Sequence, residues 1–268
     1  MTDSPAPFPL VESSEPGAPL VPGPPPFPVW SVWDVIFLFC FAAFSVLMLA
    51  AAGEAIKHYV HSKFPSARFL LQPPNEGIYL FLFQGLLDAL ILLFIYFTIT
   101  LKYGAPFLES LKWLPRKKLR VVIYVPVGIV LALAVLGAST LFPNPLESPI
   151  EKFLKVPLTA FLFAALGVLV APFVEEVVFR GFLYPVVERS LGKTGALVTT
   201  ALLFSGVHVS QLWGSWPAIV LITVVGFTLS SVRAQTDALL PSFIIHFSYN
   251  STICLLFLIG VLVQGFPV

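Results

Sequence analysis

The sequence predicts an all-α fold, a polytopic bundle of about seven transmembrane helices, and three observations predict it. The 268 residues are 57% hydrophobic and 11% charged, with a mean hydropathy of +0.93, whereas soluble domains run near about 45–50% apolar and 25% charged. Apolar segments recur at 33–56, 78–101, 121–142, 157–187, 195–211, 216–232 and 238–263, each close to the ~20 residues that cross a bilayer core. Basic residues cluster in alternate links between these segments, as the positive-inside rule requires of a membrane bundle.

Ahead of the first segment, residues 1–28 hold ten of the 25 prolines and no Lys or Arg. Residues 1–31 therefore read as a disordered, polyproline-prone tail. The tail lacks the basic n-region of a signal peptide, and the apolar segment after it is too long for an h-region, so it is expected to be retained. Residues 32–145 then supply spans 1–3 and residues 146–268 supply spans 4–7. The fourth segment carries Pro172 and Pro185 and is expected to kink.

Orientation follows from the link between spans two and three, "KYGAPFLESLKWLPRKKLR", with Lys102, Lys112, Arg116, Lys117, Lys118 and Arg120. Placed in the cytoplasm, it brings the N-terminus, Arg189, Lys193 and Arg233 to the same side in a seven-span chain. Together with Arg180 these are ten of the 15 basic residues. The chain is expected to be a multi-pass protein of a prokaryotic plasma membrane, in contact with membrane lipid. Its formal net charge of +1 and the lack of a basic, aromatic-interleaved patch exclude a nucleic-acid partner. Nothing in the pattern sets an oligomeric state.

Cys40 and Cys254 lie in apolar runs and read as buried thiols rather than a disulfide or metal ligands. Trp30, Trp33, Trp113, Trp213 and Trp216 fall near span ends and read as an aromatic belt. His58 and His61 read as part of a solvated face, and Asp88, inside span two, as a carboxyl paired with a polar group on a neighbouring helix.

The chemistry concentrates in "APFVEEVVFRGFLYP", residues 171–185. Ionisable groups at the bilayer centre cost roughly 2.5–3.5 kcal/mol each, so Glu175, Glu176 and Arg180 need partners. Glu176 and Arg180 stand four apart with the acid N-terminal, the favourable order for a helical ion pair. Glu175 is left without a basic partner in its own turn. "FSGVH" places Phe204 and His208 four apart, and "HFSYN" places His246 and Asn250 four apart. A buried Glu beside an imidazole can deprotonate water, and two side-chain donors one turn apart can hold an oxyanion. Such a set would hydrolyse an amide. Glu175, His208 and His246 also match the ligand types of catalytic zinc, although no "HExxH" string is present, so a metal stays open at this point. A structural salt bridge and a proton-carrying transporter are further readings of the same residues.

"EEVVFR", "FSGVH" and "HFSYN" resemble, in order, the E-E-x-x-x-R, F-x-x-x-H and H-x-x-x-N motifs of the CAAX-processing protease and bacteriocin-processing (CPBP, or ABI) family, which includes the prenyl protease Rce1. The resemblance covers residues 157–252 and implies an intramembrane endopeptidase with a cavity open to the cytosol. Its substrate would be a membrane-associated peptide or lipidated protein, including C-terminally prenylated CAAX-type proteins. Carried over by motif, Glu175 and His208 activate water, His246 and Asn250 stabilise the oxyanion, and Glu176, Arg180 and Phe204 support them. The family is labelled metalloprotease, but the Glu and His scheme of its prenyl-protease members requires no metal cofactor; zinc is the alternative. A catalytically silent scaffold or immunity-type protein of the same fold is the alternative function. The chain departs from the family's Thr-Gly-Ser stretch with Thr236, Asp237 and Ala238, adding a charge at the expected cytoplasmic mouth.

Overall fold

In the computed structural model, residues 10–11, 21–22, 27–64, 66, 76–115, 120–142 and 157–264 are described. Helix α1 spans Val32–Lys63, α2 Glu76–Phe97 with a π turn over Thr98–Lys102, α3 the single turn Phe107–Ser110, and α4 Tyr124–Ser139. They are followed by α5 over Pro157–Val207, α6 over Trp216–Thr236 and α7 over Leu239–Gln264. Among the described residues six helices, all but α3, are long and apolar enough to cross a membrane. The protein is a polytopic helical bundle.

Seven segments become six helices because those at 157–187 and 195–211 join in the 51-residue α5. The join is not straight. Gly192 has φ 69° and ψ 178°, a conformation open to glycine and strained for other residues. Phe179 and Phe204, on opposite sides of Gly192, have ring centroids 5.4 Å apart. In a straight helix their 25-residue separation would span about 37 Å, so the chain turns back at Gly192 and α5 is a hairpin of two limbs. Counted by limbs, the expected seven segments are all present.

Helix α2 packs on α1 and on the first limb of α5, the second limb of α5 packs on α6, and α7 lies against α4 and α6. One apolar cluster, including Phe179, Phe182, Leu183 and Val186, surrounds the first limb of α5. A second, with Ala132, Val225, Leu229, Ile245 and Tyr249, joins α4, α6 and α7. Large apolar side chains such as Phe44, Leu82, Val130 and Leu202 remain exposed on the outside, as expected where lipid replaces water as solvent. Cys40, expected to be buried, shares that outer surface, and Cys254 is half-buried; both are free thiols. An apolar run does not separate core from lipid-facing positions, because both are greasy.

The tail differs from its expected disorder in two places. Leu10–Val11 pairs antiparallel with Val21–Pro22, and the segment from Phe27 to Ser31 is docked on the bundle. Trp30, expected in the interfacial belt, is fully buried: its ring stacks on Phe182 at 5.0 Å and its Nε1–H donates to the Phe182 carbonyl at 2.9 Å. A Trp with both its face and its N–H satisfied gains more inside than at an interface. Trp33, Trp213 and Trp216 are exposed. The remaining tail residues lie outside the described ones.

Four connections meet at one end. Arg189 donates to the carbonyls of Pro28 and Trp30 at 3.0 and 3.2 Å. Lys112 pairs with Asp237 at 2.8 Å and places its ammonium 3.8 Å from the Phe27 ring centroid. The carbonyls of Lys112 and Trp113 accept from Leu239 N–H and Leu240 N–H, each at 2.9 Å, so the loop after α2 satisfies donors that the first turn of α7 cannot pair internally. Burial pushes the Asp237 carboxyl up, but hydrogen bonds from Lys112 and Arg233 outweigh it and hold the group below its usual range. Arg116, Lys117 and Lys118 lie outside the described residues.

Candidate active site

Two short departures from α geometry shape the first limb of α5. Leu166–Val170 and Glu176–Leu183 are π-helical, with i→i+5 bonding that widens the turn. The second begins at Glu176. A wider turn advances each residue by less than 100°, so the four-residue spacing of Glu176 and Arg180 still aligns them. Arg180 Nη1 donates to Glu176 Oε1 at 3.1 Å, and both side chains are 0% exposed.

The guanidinium is anchored on three further sides. Its Nη2 donates to the Gly226 carbonyl at 2.9 Å, its Nε to Ser230 Oγ at 3.3 Å, and its carbon lies 4.3 Å from the Phe204 ring centroid. A buried charge is tolerable when paired, with its remaining donors satisfied, and Arg180 meets that condition. The sequence motif points to Glu176; it does not point to Gly226 or Ser230 on α6. Gly226 has its own reason to be glycine: a Cβ there would stand 2.9 Å from Phe204 Cδ1 and 3.3 Å from the Ala201 backbone.

Glu175 is 25% exposed and faces two imidazoles. Its Oε1 is 3.8 Å from His208 Nε2, and its Oε2 is 3.5 Å from His246 Nε2. His208 stands at the end of α5, where Nδ1 is 2.8 Å from the Phe204 carbonyl. A carbonyl only accepts, so Nδ1 carries the hydrogen; in the neutral ring this leaves Nε2, the nitrogen nearer Glu175, as the acceptor. His246 is buried on α7 with Nδ1 3.1 Å from Glu176 Oε1. Phe204 is the floor beneath both rings, 5.0 Å from His208 and 5.8 Å from His246.

Of the residues expected from sequence, Glu175, Glu176, Arg180, Phe204, His208 and His246 therefore meet in one place. Asn250 lies one turn beyond His246 on α7, but its side-chain nitrogen donates to the Gly167 carbonyl at 2.7 Å, within the first π segment. Asp88 is buried, and its partner is on its own helix rather than a neighbouring one: Gln84 Nε2 donates to it at 2.8 Å. Arg233, expected in a cytosolic link, is buried, with Nε 3.2 Å from the Arg180 carbonyl.

Glu175, His208 and His246 carry donor types suited to zinc. Yet the two imidazoles address opposite oxygens of one carboxylate instead of converging with it on a single point, and among the described residues no group of three His, Cys, Asp or Glu is arranged to hold a metal ion.

Residues 157–252 match the family model described as type II CAAX prenyl endopeptidase Rce1-like. The match covers the same residues as the three-motif resemblance, and it supports a CAAX-type intramembrane protease at the level of the family. No curated protein and no solved structure matches the chain.

Proposed function

We propose that the protein is an intramembrane endopeptidase that cleaves a membrane-associated, CAAX-type peptide with water activated by Glu175 and His208. The observation that carries this reading is the pair of acceptors, Glu175 Oε1 and the His208 Nε2 lone pair, 3.8 Å apart. A water about 2.8 Å from each could donate one hydrogen to the carboxylate and one to the imidazole. Its lone pair is then turned outward, towards a scissile carbonyl. Glu175 takes the proton as the oxygen attacks, and returns it to the leaving amine.

His246 suits the role of oxyanion donor. With Nδ1–H directed at Glu176, a hydrogen on Nε2 as well makes the ring an imidazolium, the form that can donate to a developing oxyanion. Two carboxylates, Glu175 and Glu176, against Arg180 and an imidazolium would leave the cluster neutral, the arrangement least costly in a low dielectric. Asn250 would join as second donor by exchanging its bond to Gly167 for one to substrate. No metal is required in this scheme.

The test is cleavage of quenched fluorescent peptides, with and without a farnesylated cysteine near the C-terminus, by the purified chain and its Glu175→Gln variant. Wild-type cleavage that persists with a strong chelator and falls by about 10²–10⁴-fold in the variant is the expected result. Chelator sensitivity restored by zinc would overturn the metal-free scheme. No cleavage of any peptide would favour the silent scaffold.

A further inference from the structure

Both π segments of α5 end in the same way. Leu166–Val170 is followed by Ala171 and Pro172, and Glu176–Leu183 by Tyr184 and Pro185. At the end of the first, Ala171 N–H donates to the Leu166 carbonyl; at the end of the second, Tyr184 N–H donates to the Phe179 carbonyl. In the same i→i+5 register the next carbonyls, those of Gly167 and Arg180, would accept from residues 172 and 185. Both of these are proline, which has no N–H. The donors that α geometry would offer instead, Ala171 N–H and Tyr184 N–H, are already engaged with Leu166 and Phe179.

A carbonyl without a donor is costly inside a bilayer, and in each case a side chain from another helix supplies one. Asn250 Nδ2 on α7 donates to the Gly167 carbonyl at 2.7 Å, and Arg233 Nε on α6 donates to the Arg180 carbonyl at 3.2 Å. Each proline thus draws one polar side chain of α6 or α7 onto the first limb of α5. For Asn250 this decides orientation. Its amide has a donating nitrogen and an accepting oxygen, and only the nitrogen can bond a carbonyl. The end of Asn250 that faces the limb carrying Glu175 is therefore fixed as the donor.

We propose that Pro172 is a positioning residue for the hydrolytic site: by leaving the Gly167 carbonyl without a backbone donor, it holds Asn250 with its amide nitrogen presented to the limb that carries Glu175, ready to pass to the oxyanion. This rests on the protease reading above, with Asn250 as the second donor. Pro185 acts in the same way on Arg233, which has no part in that reaction, and so provides the comparison.

The experiment is a pair of double-mutant cycles on the full chain, combining Asn250→Ala with Pro172→Ala and, separately, with Pro185→Ala, read by thermal unfolding in detergent and by peptide cleavage. Alanine at 172 supplies an N–H that the Gly167 carbonyl can accept, and it suits a helix better than proline. In the parent chain Asn250→Ala strands the Gly167 carbonyl and should lower the melting temperature by about 2–4 °C. Beside Pro172→Ala that loss should vanish, and beside Pro185→Ala it should persist. In cleavage, Pro172→Ala should lower kcat about fivefold to tenfold, the contribution of one neutral hydrogen bond, with KM unchanged because the oxyanion forms only on the way to the transition state. Asn250→Ala should lower kcat by about 10²–10³-fold, and Pro172→Ala should add nothing to that loss, whereas the effect of Pro185→Ala should multiply with it. Equal losses of melting temperature from Asn250→Ala with and without Pro172, or a Pro172→Ala chain that does not fold, would overturn the link between proline and carbonyl. An unaltered kcat in Pro172→Ala, or independent effects of Pro172→Ala and Asn250→Ala on kcat, would overturn the positioning role and leave the protease intact. Failure of the wild type to cleave any peptide would overturn the protease reading and the positioning role with it, while the melting cycle still decides whether the proline frees the carbonyl.

Discussion

Glu175 and Glu176 are adjacent in sequence and opposite in circumstance. Glu176 is wholly buried between Arg180 and His246, whereas Glu175 is partly exposed and faces imidazole nitrogens at 3.5 and 3.8 Å. Glu176→Gln would strand the Arg180 guanidinium in a low-dielectric site and is expected to destabilise the protein by about 3–5 kcal/mol, the usual cost of breaking a buried pair. Glu175→Gln breaks no short contact and should leave thermal unfolding in detergent nearly unchanged while activity is lost. If Glu175→Gln proved the more damaging to stability, the two carboxylates would have to exchange roles. The pairing of Glu176 with Arg180 was legible in the sequence because four-residue spacing singles out one acid for Arg180. The second bond of Glu176, to His246, joins positions 70 residues apart, and no local pattern carries that pairing.

Helix geometry explains what else the sequence could and could not reveal. The seven apolar segments are visible as runs, with a break between 187 and 195; the π segments are not, because hydrophobic runs look alike in α and π geometry. Close packing of α4 on α7 is equally hidden, since it depends on one glycine meeting a backbone. A Cβ on Gly128 would lie 2.4 Å from the Ile245 carbonyl oxygen, 2.7 Å from Ser248 Cβ and 3.0 Å from Tyr249 N. Backbone cannot rotate aside, so Gly128→Ala must push α4 away from α7 beside His246. The strain, about 1–3 kcal/mol, outweighs or cancels the ~1 kcal/mol that alanine adds to helix propensity. A shift near 1 Å at His246 would cost about 10²-fold in rate. Gly137 lies on the same helix with nothing within 4 Å of its Cβ position, so Gly137→Ala is the control. Gly128→Ala should lower both melting temperature and activity and Gly137→Ala neither; equal behaviour of the two would remove the close contact from the account.

The assembled molecule resolves how one chain brings distant motifs to a single depth. The fold-back of α5 at Gly192 sets Phe204 against Phe179 and His208 near Glu175, and the return through α6 and α7 then delivers His246. The same fold-back decides topology. Arg189 binds the Trp30 segment, and Lys112 binds both Asp237 and Phe27, so the N-terminal segment and the loops before α4, within α5 and before α7 occupy one end of the bundle. That arrangement requires seven crossings, with the hairpin of α5 counted twice, and the positive-inside rule predicts the cytoplasm for the shared end. Single cysteines at exposed Lys193, Gln235, Ser62 and Trp213, in a chain lacking Cys40 and Cys254, test it with a membrane-impermeant thiol reagent on oriented vesicles. Lys193 and Gln235 should label from the cytoplasmic face, and Ser62 and Trp213 from the opposite one. Labelling of Lys193 from the same face as Trp213 would mean that the second limb of α5 does not cross, reducing the count to six and placing His208 on the wrong side of the bilayer to share a water with Glu175.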